Sequence, residues 1–139
     1  MRKIIFFVLS LTFISAILFG CQSKVNTDIK SDLDIKKVSI SKSKGFGKVN
    51  PDFFAVFDDE KNLKLFKSVI SNAVKVDSTV DMATPKYDLE VTYNNGSKQG
   101  FHLWIGDKGK RGTLMDINDT NTIYTVLEEN TNKLIDLIQ

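Results

Sequence analysis

Cysteine and histidine are almost absent from this sequence, which has one residue of each type among its 139 residues. A single cysteine excludes an intramolecular disulfide framework. One cysteine and one histidine are too few side chains for a structural zinc site or a multi-histidine metal centre. We therefore expect no metal site and no cofactor.

The sequence also lacks a strong excess of charge of either sign, with 19 basic and 17 acidic side chains. The small surplus comes from Arg2 and Lys3, because the first 20 residues contain no acidic residue. Without that segment the basic and acidic side chains are equal in number, so the sequence pI near 8.6 reflects the amino terminus. A cationic nucleic-acid-binding protein is therefore disfavoured.

The first 20 residues have the layout of a secretory signal peptide. Arg2 and Lys3 form a short cationic lead, and residues 4–19 are a mostly apolar run interrupted by three polar residues. A membrane-spanning helix needs about 20 consecutive apolar residues, which this run does not supply. Export is therefore favoured over a permanent membrane span.

The segment Leu18-Phe19-Gly20-Cys21 resembles the lipobox of bacterial lipoproteins, although Phe19 is bulkier than the residue usual there. In that motif the cysteine is acylated and the signal peptide is cleaved before it. Each buried methylene contributes about 0.8 kcal/mol, so two or three chains anchor a protein stably. A buried core cysteine is the alternative, and the polar residues that follow disfavour it. We expect a signal peptide at 1–20, acylated Cys21 with a polar tether at 21–34, and one globular domain at 35–139.

Residues 35–139 predict an α+β domain with a small mixed, mainly antiparallel sheet and two helices. Alternating or short apolar runs predict strands at residues 35–41, 53–57, 87–93, 101–105, 113–117 and 122–127. The acidic triplet at 58–60 predicts the start of a helix, whose apolar stripe runs from Leu63 to Val74. A second helix is predicted at 128–138, and residues 76–86 are predicted to be a connector.

The turn Asn94-Asn95-Gly96 determines which side chains share a sheet face. A two-residue turn would oppose Leu89 and His102, whereas a three-residue loop opposes Leu89 and Phe101. We therefore predict a three-residue loop with Gly96 in the left-handed conformation. One face of the hairpin is then apolar, and the other carries Asp88, Glu90, His102 and Trp104.

His102 is the candidate catalytic base of this sequence, with Glu90 or Asp88 opposite it. A nucleophile is missing, because Cys21 is the lipidation site and no serine lies in a Gly-x-Ser-x-Gly motif. A cross-strand surface pair is therefore the favoured interpretation. An aromatic side chain beside a polar one is typical of interface anchors, which makes Trp104, His102 and Glu90 candidate partner-binding residues.

The loop at residues 106–112 has a glycine at every third position and three cations, Lys108, Lys110 and Arg111. These cations are candidate ligands for an anion, a phosphate or a lipid headgroup. A mobile hairpin tip is favoured, since no helix follows to present its N-terminus.

Two other segments resemble ligand-binding loops only in part. The Gly-x-Gly at residues 45–47 lacks the third glycine of a nucleotide-binding loop. Residues 116–120 begin like a calcium loop, but Asn121 and Leu127 replace the required glycine and glutamate. We therefore predict a loop and a turn, respectively.

A set of short segments resembles the YhfM-like lipoproteins of spore-forming Gram-positive bacteria. The segments are Val80-Asp81-Met82-Ala83-x-Pro85-x-Tyr87-Asp88, Leu103-Trp104-Ile105-Gly106, Gly112-x-Leu114-Met115-Asp116 and Asp119-Thr120-x-Thr122-Ile123-Tyr124-Thr125. The resemblance covers residues 53–139 together with the lipobox. It implies a small α+β domain on the outer face of the cytoplasmic membrane, and it implies no reaction, cofactor or catalytic residue.

These features predict a lipid-anchored cell-envelope lipoprotein, not an enzyme, whose non-catalytic domain binds a protein or a cell-wall component. One alternative is a small-molecule or anion-binding envelope receptor, which a concave pocket at the charged loop would favour. Another is a small hydrolase built on His102 and Glu90, which a carboxylate and a hydroxyl within hydrogen-bond reach of the imidazole, inside a cleft, would favour.

Overall fold

The computed structural model describes residues 34–76 and 81–139. The elements in these ranges are β1 (Ile35–Lys42), β2 (Phe53–Phe57), α1 (Glu60–Ser71), β3 (Val74–Val76), β4 (Tyr87–Tyr93), β5 (Lys98–Trp104), β6 (Gly112–Asp116), β7 (Ile123–Val126) and α2 (Glu128–Ile138). The predicted α+β class is confirmed. Residues 1–33, with the predicted signal peptide, the lipobox and Cys21, lie outside the described residues. Neither described helix is long and apolar enough to span a membrane.

The seven described strands form one antiparallel sheet in the order β2-β1-β4-β5-β6-β7-β3. Strands β4 to β7 follow one another as neighbours. Helix α1 connects β2 at one edge of the sheet to β3 at the other edge, and it contacts both β1 and α2. The two helices therefore cover one face of the sheet.

The covered face holds the hydrophobic core. Its central side chains on β4 and β5, Leu89, Phe101 and Leu103, are fully buried and belong to the same cluster as Phe66 of α1 and Leu134 of α2. Leu89 is opposite Phe101, as the three-residue loop requires. Gly96 has a φ of 83°, so the predicted left-handed position is confirmed.

Helix α1 begins where the acidic triplet predicts. Asp59 is its N-cap, and its carboxylate accepts a hydrogen bond from the Asn62 backbone N–H at 3.0 Å. This hydrogen bond and a second one from the Asn62 side chain hold the pKa of Asp59 below its ordinary value. The capping interpretation of the triplet is therefore confirmed.

The end of α1 differs from the prediction. The helix ends at Ser71, and Val74 begins strand β3 with about half of its surface exposed (54%). Including Val74 in the apolar helix stripe was wrong, because residues 74–76 pair with residues 123–125 of β7 at the edge of the sheet. Local periodicity cannot predict such a pairing between residues far apart in the chain.

The face of the sheet opposite the helices is covered near its centre by the loop between β1 and β2, residues 43–52. Gly100 on β5 lies beneath two apolar side chains, Val49 of this loop and Ile117, which follows β6. An added Cβ at Gly100 would lie 2.7 Å from Val49 Cγ2 and 2.6 Å from Ile117 Cδ1. Val49 and Ile117 therefore close over β5 because residue 100 has no side chain.

We expect the substitution Gly100→Ala to reduce the free energy of unfolding by about 1–3 kcal/mol, because Val49 and Ile117 must both move to admit the methyl group. Urea denaturation monitored by circular dichroism measures the change.

The matched control is Gly106→Ala, since an added Cβ there has no neighbour within 4 Å. Equal stability of the Gly100→Ala variant and the unchanged protein would contradict the described packing.

Candidate functional site

A buried acid–imidazole pair lies on the sheet face opposite the helices. Asp88 and His102 are directly opposite each other on β4 and β5. The His102 Nδ1 atom lies 2.8 Å from Asp88 Oδ1, and both side chains are fully buried. The predicted pairing is present, but its expected position at the surface is wrong, because the loop at residues 43–52 contacts and covers both side chains.

The hydrogen bonds of this loop define the tautomer of His102. The Gly47 backbone N–H donates to His102 Nε2 at 3.2 Å. Because a backbone N–H only donates, Nε2 must be the unprotonated nitrogen, and Nδ1–H donates to Asp88. The second carboxylate oxygen of Asp88 accepts from the Asn50 backbone N–H at 2.9 Å. The imidazole is thus held on both of its nitrogen atoms.

Two aromatic side chains flank the imidazole. The ring centroid of His102 lies 5.6 Å from that of Phe46 and 6.2 Å from that of Trp104, both in edge arrangements. Phe46 also contacts Trp104 and remains 49% exposed. These contacts place an aromatic lid residue, Phe46, between the imidazole and solvent.

The expected exposed patch of Trp104, His102 and Glu90 is not formed. Trp104 is only partly exposed, and its indole N–H donates to the Ala83 carbonyl at 2.8 Å. Glu90 accepts from Lys98 at 2.8 Å, so Asp88 is the acid that orients the imidazole. Burial of His102 further prevents these three side chains from presenting one flat surface to a partner.

Ser41 on β1 extends the polar row across the sheet. It is directly opposite Asp88 and fully buried, and its hydroxyl has no hydrogen-bond partner among the residues that the structure describes. On the other side of the row, Met115 of β6 is opposite His102. Sequence reasoning missed Ser41, because the pairing of β1 with β4 joins residues that are far apart in the chain.

Two of the cavities beside this cluster border the residues that flank the imidazole. The first has a volume of about 330 Å³ and is lined by Phe46, Asp81, Met82, Met115 and Thr120. The second has a volume of about 310 Å³ and is lined by Lys86, Trp104, Ile105, Gly106, Lys110, Arg111 and Thr113. We call them the lid cavity and the cationic cavity. Phe46 lines the lid cavity and Trp104 lines the cationic cavity, and both contact the ring of His102.

The charged loop at residues 106–112 is fixed on α2. The Gly109 N–H donates to Asn132 Oδ1, and the Gly112 N–H donates to Thr131 Oγ1, each at 2.9 Å. Lys108 forms an ion pair with Asp136 of the same helix. The loop is the tip of the β5–β6 hairpin, as predicted, but the expectation that this tip is mobile is wrong, since three contacts with one helix hold it.

The three candidate cations of this loop do not all line the same cavity. Lys110 and Arg111 line the cationic cavity, whereas Lys108 does not. Lys86, which precedes β4, adds a cation that sequence reasoning missed. Its contribution depends on the side-by-side placement of β4, β5 and the charged loop, and no local motif indicates it.

A second polar cluster lies at the other end of the hairpin. The Tyr93 hydroxyl donates to Gln99 Oε1 at 2.7 Å, and the Gln99 amide donates to Asp116 Oδ2 at 2.6 Å. Burial, together with the negative charge of Asp116, raises the pKa of Tyr93 to about 12. The phenol therefore stays protonated as a structural donor.

The calcium-like segment at residues 116–120 forms a turn. Asp116 Oδ1 accepts from the Asn118 N–H at 2.8 Å, and Asp119 Oδ1 accepts from the Asn121 N–H at 3.2 Å. Both are local aspartate-to-backbone hydrogen bonds that stabilise turns. The prediction of turn chemistry is confirmed.

The fold is similar to that of a solved structure described as a thioesterase-like protein from Clostridium sporogenes ATCC 15579. The TM-score is 0.60 at 17% sequence identity, over 75% of this chain and 94% of that chain. This likeness contradicts the expectation of a non-catalytic, partner-binding domain, because the fold is shared with a thioesterase-like protein. None of the curated proteins matches the chain.

A family model described as YhfM protein matches residues 31–139. The match includes all residues that the structure describes, and it agrees with the resemblance of the four short segments between residues 80 and 125. The chain belongs to the YhfM protein family.

Proposed function

We propose that this protein is a hydrolase of small acyl esters or thioesters, with His102 as the general base and Asp88 as its positioning residue. The observation that carries this proposal is the fixed tautomer of His102, whose Nδ1–H is bound to a buried carboxylate. Such an arrangement places the unprotonated lone pair on Nε2, which can accept a proton once the Gly47 N–H is displaced. The fold likeness to a thioesterase-like protein supports the same class of reaction.

The reaction requires one proton to move in two steps. A water molecule gives a proton to His102 Nε2 as its oxygen forms a bond to the acyl carbon. The same proton then passes to the leaving thiolate or alkoxide as the C–S or C–O bond breaks. Asp88 keeps the ring oriented and stabilises the positive charge that the imidazole carries between the two steps.

The segment at residues 45–47 must move for this chemistry, because the Gly47 N–H occupies Nε2 in the structure. Gly45 and Gly47 have φ values of 128° and 104°, so both use conformations that favour glycine. The separate hydrogen bond from Asn50 to Asp88 can persist during this movement. Opening of residues 45–47 therefore frees Nε2 while the acid stays held.

The lid cavity provides a place for an acyl group. Phe46, Met82 and Met115 give it apolar walls, and Met115 is opposite His102 in the sheet. A volume of about 330 Å³ is at the lower end of the range for small-molecule pockets, about 300–1,000 Å³. Short or medium acyl chains fit this size.

We expect the full-length protein, purified in a nonionic detergent, to hydrolyse members of a panel of p-nitrophenyl esters and acyl thioesters. His102→Gln should lower kcat/KM by about 100-fold or more, because the proton acceptor is lost. Asp88→Asn should lower kcat with little change in KM, and it should remove the downfield Nδ1–H resonance from the proton NMR spectrum.

The control variant is Ser41→Ala, which lies in the same buried row and has no hydrogen bond to His102. Its activity should equal that of the unchanged protein. Hydrolysis of the whole panel no faster than that measured for His102→Gln would contradict the proposed function.

We also propose that acyl chains on Cys21 hold the protein at the outer face of the cell membrane. The supporting features are the cationic and apolar layout of residues 1–20 and the lipobox that ends at Cys21. The polar residues that follow Cys21 would then link the acyl chains to the domain. The domain would then work close to the membrane surface.

Growth of a lipoprotein-processing bacterial host with labelled palmitate tests this anchor. We expect label on the unchanged protein and none on Cys21→Ser, since the thioether cannot form on a hydroxyl side chain. Ser23→Ala is the neighbouring control and should be labelled normally. Label on Cys21→Ser, or an unlabelled unchanged protein, would exclude Cys21 as the lipidation site.

A further inference from the structure

The cationic cavity takes no part in the proposed hydrolysis, and its composition points to a ligand of its own. We infer that it binds a small organic molecule with a dianionic oxyanion group, either a phosphate monoester or a dicarboxylate. The inference is independent of the proposed hydrolytic function, because it concerns binding at Lys86, Lys110 and Arg111.

Charge is the first observation that supports this site. Three cations line the cavity, and none of its lining residues is acidic. Asp107 is 3.9 Å from Lys110 and is almost fully exposed, so it offsets little of this charge. Among the described residues, Lys86 and Arg111 form no ion pair. Like charges around one concavity repel each other, and a bound anion relieves that repulsion.

The groove between the two helices gives an instructive comparison. It is larger, at about 560 Å³, and it is also lined by lysines. There, however, Lys64 pairs with Glu60 and Lys133 pairs with Glu129, each at 2.6 Å. Two lysines of the helix groove are thus paired with glutamates, and Asp136 also lines that groove, whereas no acidic residue lines the cationic cavity.

The backbone that carries the three cations is fixed by the fold. The Lys86 N–H donates to the Leu103 carbonyl, and the Lys86 carbonyl accepts from the Ser43 N–H, each at 3.2 Å. Lys110 and Arg111 lie between Gly109 and Gly112, whose N–H groups are both bound to α2. A site with a fixed backbone loses less conformational entropy when a ligand binds.

The chemistry of the lining residues defines the ligand class. The planar guanidinium of Arg111 can donate two parallel hydrogen bonds to a phosphate or a carboxylate, and the lysines add point charges. Trp104 and Ile105 supply an apolar wall for the organic part of the molecule. The volume of about 310 Å³ restricts this part to a small group.

The position of Trp104 provides a direct assay, because it is the single tryptophan of the chain. Its fluorescence should change in a saturable manner when phenyl phosphate or malonate is added to the full-length protein in a nonionic detergent. Added salt should weaken the binding. Response to phenyl phosphate alone identifies a phosphate ligand, and response to malonate alone identifies a dicarboxylate; either result supports the inference.

Substitutions distinguish binding in the cationic cavity from nonspecific attraction of the probe to surface charge. Arg111→Gln and Lys86→Gln should each raise the Kd by about tenfold, as expected for loss of one charge-assisted hydrogen bond. Lys108→Gln is the matched control, since Lys108 is on the same loop but pairs with Asp136 outside the cavity. Its Kd should stay close to that of the unchanged protein.

Two results would overturn the inference. One is the absence of a saturable response to both probes at millimolar concentrations. The other is an equal loss of affinity in Lys108→Gln and Arg111→Gln. Loss of hydrolysis in His102→Gln with retained binding of the probes would show that the two proposals stand separately.

Discussion

The buried carboxylate of Asp88 is the group on which the polar side of this sheet depends. It accepts from His102 on the neighbouring strand and from the Asn50 backbone in the covering loop. A buried carboxylate is costly unless hydrogen bonds satisfy it, so the loop and the strand must both keep their positions. The conformation of residues 43–52, the tautomer of His102 and the edge contacts of Phe46 follow from this requirement.

The sequence predicts much of the hairpin that carries the site. The alternation in residues 87–93 and the turn at 94–96 were sufficient to place His102 on one face with Asp88 and Glu90, but they left open which of the two acids is opposite the imidazole. They did not predict that this face is buried, because the covering loop is attached through Gly47 and Asn50, which are distant in the chain and match no motif. The same reason accounts for Ser41, whose place beside Asp88 requires the pairing of β1 with β4.

The charged loop at residues 106–112 also has contacts with a distant part of the chain that its sequence does not predict. Its glycines and cations were evident in the sequence, and its isolation from other structure was assumed from the absence of a following helix N-terminus. In the fold, α2 returns beside the loop and binds it through Asn132 and Thr131. Lys108 pairs with Asp136 of the same helix and does not line the candidate site, whereas Lys86, which precedes β4, does. Side-chain chemistry was predictable, whereas the grouping of side chains required the three-dimensional arrangement.

The three-residue turn at Asn94-Asn95-Gly96 has a consequence for how this family can diverge. Deleting one of these residues would leave both strands intact but would exchange the inward and outward sides of β5 relative to β4. The imidazole would then face the helices, and Phe101 would face the covering loop. Evolution can thus vary the identity of these turn residues more freely than their number, because the parity of a short, exposed connection decides where the chemistry of the domain is located.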